Sequence, residues 1–310
     1  MDAKLAEGMK HIQAAEKCMK TSFIKWKADP DGAASEYTKA AIAFKNAKAL
    51  DKAKSAYEEA AEHQLQCRQL FHAAKSFEQA AFVAKDMQDL LQTSKLVERA
   101  CNMFLENGTP DTAALALLRA AKMVEGELPD RAVSMYLRAG QIYENEGNFR
   151  RAADAVRSAP RLLIRHKKHD EAVTALQREI NYNGEAEAFD LTHRLVVCMV
   201  VLHLYRGDCV AADKAFKNGY SYPGFGESDE AAITEQLLES MNTGDESQAS
   251  QILNNPLFKY LDNDFAKLAR DLRESPPDGI FMNNGGSGTT PSEEQGAGAS
   301  SEDEYADGLC

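Results

Sequence analysis

The sequence predicts an all-α fold, an array of short antiparallel helices. Three features of the 310 residues carry that prediction. Pairs of small residues recur at Ala40-Ala41, Ala60-Ala61, Ala80-Ala81, Ala100-Cys101, Ala120-Ala121 and Ala139-Gly140, in steps of 20, 20, 20, 20 and 19. Three positions before each pair stands a larger apolar residue: Tyr37, Tyr57, Phe77, Val97, Leu117 and Tyr136. Helix breakers are sparse, with nine prolines and nineteen glycines in all.

Residues three apart share one face of an α-helix, so each unit sets a large side chain beside a small-residue notch. Small side chains let neighbouring helices approach, and the large one fills the space beside them. A helix of about 16 residues and a turn of about four account for the step. So short a unit cannot bury its apolar stripe alone, and successive units must stack as antiparallel hairpins. The expected architecture is a twisted antiparallel array of tetratricopeptide-like helical hairpins. The phase continues more weakly through Val156/Ala159 and Leu176/Glu179.

Residues 1–184 are assigned to the array. Beyond about residue 185 the step fades although apolar stretches continue, and residues 185–282 read as a C-terminal helical bundle that closes the array's open end. Residues 283–310 hold six acidic and no basic side chains, half of the net charge of −12, and read as a disordered acidic tail. Pro160 falls where the repeat expects its notch, so the helix should kink or begin there.

One interval breaks the step. Ala14-Ala15 lies 26 residues before Ala40, which leaves about six surplus residues in an apolar loop near 21–32. That loop holds Phe23, Ile24 and Trp26, the sole tryptophan, flanked by Lys20, Lys25 and Lys27. The apolar residues can fold back on the first hairpin, or form an exposed tip suited to a lipid headgroup layer.

Charge and motif exclude several classes. An acidic balance argues against nucleic-acid binding. The longest apolar run, residues 195–202, is far too short to span a bilayer, and the first residues lack the apolar core of a signal peptide. The six cysteines show no CxxC or metal-like spacing and read as reduced cytosolic thiols. No Walker loop, GxSxG or HExxH occurs, and no cofactor, metal or catalytic residue is expected. His166 and His169 could share a helix face, but Arg165, Lys167 and Lys168 would repel a cation. One basic cluster stands out: Arg157, Arg161, Arg165, Lys167 and Lys168, with no acid among residues 157–168. It is either a solvated face pairing with nearby glutamates or a docking strip for an acidic helical partner.

The twenty-residue step, the apolar loop after the first helix and the acidic tail with its penultimate Leu309 resemble the soluble NSF attachment proteins. Residues 255–268 (NPLFKYLDNDFAKL) and the ending Gly308-Leu309-Cys310 are similar to the gamma branch of that family. The resemblance implies a non-enzymatic adaptor, cytoplasmic and peripherally associated with membranes. Such an adaptor coats SNARE complexes and recruits the hexameric NSF ATPase. It matches Phe23 and Ile24 to the membrane-attachment pair, and Leu309 to the leucine associated with ATPase stimulation. SNARE contact by the 157–168 cluster is inferred from its charge. A helical-repeat scaffold or chaperone adaptor with unrelated partners is the alternative.

Overall fold

The computed structural model describes residues 2–21, 27–277 and 280–281, and among these it contains helices and no strand. After α1 (Asp2–Met19) come α2 (Pro30–Asn46), α3 (Leu50–Gln66), α4 (Leu70–Asp86), α5 (Leu90–Glu106), α6 (Pro110–Val124) and α7 (Pro129–Asn145). Then follow α8 (Phe149–Val156), α9 (Ser158–Arg165), α10 (His169–Glu185), α11 (Phe189–Tyr205) and α12 (Cys209–Gly219). Each helix packs chiefly on its neighbours in the chain, as a stacked array requires.

The notches lie where helices meet. Ala40, Ala60, Ala80, Ala100, Ala120 and Ala139 are fully buried, beside the buried Tyr57, Phe77, Val97, Leu117 and Tyr136. Tyr37, near the end of the array, is only half-buried and stacks on His63 at 5.3 Å. At Gly140 the approach leaves no room for a methyl group, since a Cβ would lie 2.3 Å from Val156 Cγ1. The helix breaks at Arg157, between α8 and α9, with Pro160 buried in the first turn of α9, where a missing N–H costs least.

The turns explain the length of the step. Lys48, Arg68, Gln88, Gly108, Gly147, Lys167, Glu187 and Gly207 all have φ between 55° and 76°. In each case the next residue's N–H reaches back to a carbonyl five residues earlier, as in Gln69 N–H to Gln64 O at 2.9 Å. This is the Schellman arrangement, which ends a helix and satisfies its last carbonyls. One left-handed residue per turn reverses the chain in three residues, so 17-residue helices recur every 20.

The step runs on past residue 184. Helices begin at 169, 189 and 209, and α11 is a full member of the array. The expected boundary at 184 marks no break in packing. The period fades there because α11 is covered on more sides than the others: residues 195–204 are buried without interruption. A helix apolar all round is one enclosed all round. The cover comes from the C-terminal part, α13 (Asp229–Thr243), α14 (Glu246–Leu253), α15 (Pro256–Lys259) and α16 (Asn263–Glu274), of which α13 and α16 pack on α11. The assigned tail, from residue 283, lies outside the described residues.

Candidate functional site

Three arginines of the basic cluster, Arg157, Arg161 and Arg165, meet acids about a hundred residues away, and of the cluster Arg161 is the buried member. Arg161 is 7% exposed. Its Nε donates to Asp262 Oδ2 at 2.9 Å and its Nη1 to the Arg157 carbonyl at 2.8 Å. Nη1 also meets the Glu179 carboxylate and Nη2 that of Asp262, both closely. The guanidinium lies 5.3 Å from the Phe265 ring centroid. Arg165 grips Asp264 with two nitrogens at 3.1 Å, and Arg157 stands 3.4 Å from Asp262. Asp262 and Asp264 sit at the start of α16, where a carboxylate also complements the helix dipole. The arginines thus join the array to α16.

The electrostatics follow from depth. Burial works to raise the Asp262 carboxyl, but Arg161 and Arg157 outweigh it and hold it below the usual carboxylate range. Glu179, 1% exposed, is pushed up to about 7 by burial, against the pull of Arg161. The expectation of a docking strip does not fit Arg161, which has no surface to offer a partner. Arg157 and Arg165 keep side chains 55% and 57% exposed beside their internal acids. Lys167 is the exposed left-handed residue of the α9–α10 turn, and Lys168 bonds Asp130 at 2.7 Å. Glu179, Asp262 and Asp264 carry this site as much as the arginines do. Only Glu179 had a readable signal, a carboxylate at the notch position where other units place alanine.

The second candidate site is the loop. Its base is closed by Asp29 N–H donating to the Cys18 carbonyl at 3.0 Å, and the Asp29 side chain caps α2 through Gly32 N–H at 2.9 Å. Lys20 and Lys27 are exposed at that base. Phe23, Ile24, Lys25 and Trp26 lie outside the described residues, as does Leu309. Among the described residues no group of His, Cys, Asp or Glu could hold a metal ion, and no helix is long and apolar enough to cross a membrane.

The profile of one family, described as "Soluble NSF attachment protein, SNAP", matches residues 3–258. The chain belongs to the soluble NSF attachment protein family. It is similar to two curated relatives, each called gamma-soluble NSF attachment protein. The one from Dictyostelium discoideum is 28% identical over 269 residues, covering 87% of this chain and 83% of the relative. The one from Arabidopsis thaliana is 28% identical over 274 residues, covering 88% and 94%. Both carry the gamma designation that residues 255–268 pointed to, and 262 and 264 in that segment are the acids gripped by Arg161 and Arg165.

Proposed function

We propose that this protein is an adaptor without catalysis of its own, which binds assembled SNARE helices and couples them to the NSF ATPase for disassembly. The observation that carries this reading is the family match along 256 of the 310 residues, 3 to 258 inclusive. A stacked array suits the role, because each helix is braced by the next and a long surface is presented in one piece. SNARE contact is assigned to the part of the basic cluster open to solvent: Arg157, Arg165, Lys167 and Lys168. Arg161 holds the array to α16 in this reading.

The loop residues Phe23, Ile24 and Trp26, with Lys20, Lys25 and Lys27, attach the adaptor peripherally to the membrane. Full burial of each apolar side chain is worth about 1.5–3 kcal/mol, and incomplete insertion reduces it. Single copies then bind weakly, and several copies on one membrane-anchored SNARE bundle bind well through effective concentration. Leu309 at the end of the acidic tail stimulates the ATPase.

The test is ATP-dependent release of SNARE subunits by NSF, with and without this protein. Release only in its presence supports the adaptor reading. Equal release without it refutes that reading.

A further inference from the structure

The outward face of α1 carries a line of lysines that packing does not explain. Lys10 and Lys17 are seven residues apart and lie one above the other on a helix, with Gln13 beside them in an arc of about 60° and Lys20 directly after the helix's last residue, Met19. All four residues are exposed. Among the described residues none of the three lysines has a carboxylate within ion-pair distance, although the chain is acidic overall. Of the α1 acids near them, Glu7 bonds Lys4 at 2.7 Å while also feeling the charge of Lys10, and among the described residues Glu16 closes no ion pair with Lys17 or Lys20.

This differs from the arginines deeper in the array. Arg99 pairs with Glu62, Arg119 with Glu78 and Arg151 with Asp111, each acid two helices away on the same side. Among the described residues no acid two helices away pairs in this manner with Lys10, Lys17 or Lys20. The negative end of its dipole accounts for Lys17 and Lys20 near its C-terminus, but not for Lys10 in mid-helix. The line leads directly to the closed base of the loop, where Lys27 is exposed as well.

We propose that α1 lies along an anionic bilayer, with Lys10, Lys17 and Lys20 against acidic lipid headgroups, so that membrane contact extends from the loop over about 15 Å of helix. The proposal rests on the reading of the loop as a membrane attachment. It adds a lipid preference that the loop's apolar residues cannot supply. An apolar tip inserts into neutral and acidic bilayers alike, whereas lysines gain only where the surface potential is negative.

The test compares flotation of the full chain with vesicles of phosphatidylcholine alone and of phosphatidylcholine with phosphatidylserine. Three proteins are used: wild type, a Lys10→Gln/Lys17→Gln/Lys20→Gln variant and a Phe23→Ser/Ile24→Ser/Trp26→Ser variant. Circular dichroism checks that all three are folded. Each lysine near such a surface is worth about fivefold in binding, so the lysine variant should bind acidic vesicles up to about 100-fold more weakly. Its binding to neutral vesicles should not change, and the loop variant should lose both. Wild-type binding to acidic vesicles by the lysine variant overturns the proposal. Loss of soluble SNARE-bundle binding by that variant, with vesicle binding intact, also overturns it by assigning the face to an acidic protein. A loop variant that binds both vesicles normally sinks the loop reading alone.

Discussion

Replacing Arg161 by methionine should be among the most damaging single changes in the chain. The substitution keeps much of the side-chain volume and removes the charge. It leaves Glu179, 1% exposed, with no side-chain partner for its carboxylate, and removes two hydrogen bonds from Asp262. Above about pH 7, where Glu179 is ionised, breaking this buried pair from one side costs about 3–5 kcal/mol, a large fraction of a domain's stability. The double variant Arg161→Met/Glu179→Met should recover most of that loss, because an apolar pair of similar size avoids burying charge.

A pH signature accompanies it. The Glu179 carboxyl stands at about 7 in the folded protein, against a reference value of 4.5. Between these values the folded state holds more protons than the unfolded state. This group's contribution to stability is therefore favourable in acid and is lost as pH rises through that window, by about 3 kcal/mol. Urea unfolding followed by circular dichroism at about pH 5 and about pH 8 measures both effects. Glu179→Gln should abolish this fall in stability between the two pH values. The reasoning fails if Arg161→Met unfolds at the wild-type midpoint, or if the double variant is no more stable than the single.

Three further outcomes are expected. Arg68→Gly or Gln88→Gly should raise stability by about 0.5–1 kcal/mol, because φ of 57° and 62° suits glycine, and an unchanged denaturation midpoint would count against strain in these turns. Gly140→Ala should cost about 1–3 kcal/mol through its clash with Val156, and Val156→Ala should restore part of it; a neutral Gly140→Ala would mean the notch is not tightly filled. Leu309→Ala should lower stimulation of NSF ATP hydrolysis more than it lowers complex assembly, and full stimulation at saturating protein would remove Leu309 from the mechanism.

What could be read from the sequence was what repeats locally. The notch pairs and their large neighbours set the array, because both lie within one helix and its immediate neighbours. The turns were less legible, since Lys48, Arg68, Gln88, Lys167 and Glu187 occupy a conformation normally marked by glycine. α11 hid its membership because cover on several sides replaced its apolar stripe with a continuous apolar run. The arginine cluster was visible as charge but not as a joint, since the acids that receive it lie 99 to 105 residues further on. Glu179 was the exception: a carboxylate in a notch predicts a buried partner, and Arg161 stands 18 positions before it, nearly one repeat.

That joint decides which substitutions can report on docking. Glutamate at Arg161 would meet Asp262 and Glu179 at close range, and glutamate at Arg165 would face Asp264. Either change sets like charges against each other where α16 is held, so a loss of SNARE binding would measure release of the C-terminal helix as much as loss of a contact. Lys167 differs. It is exposed, and among the described residues it has no ion pair, so reversing its charge leaves the joint intact. Its left-handed φ of 59° is no better suited to glutamate than to lysine, so the backbone is also unaffected in first order. Weaker, less salt-dependent binding by Lys167→Glu with unchanged unfolding would place the SNARE partner at this turn. Unchanged binding would remove Lys167 from the proposed SNARE contact.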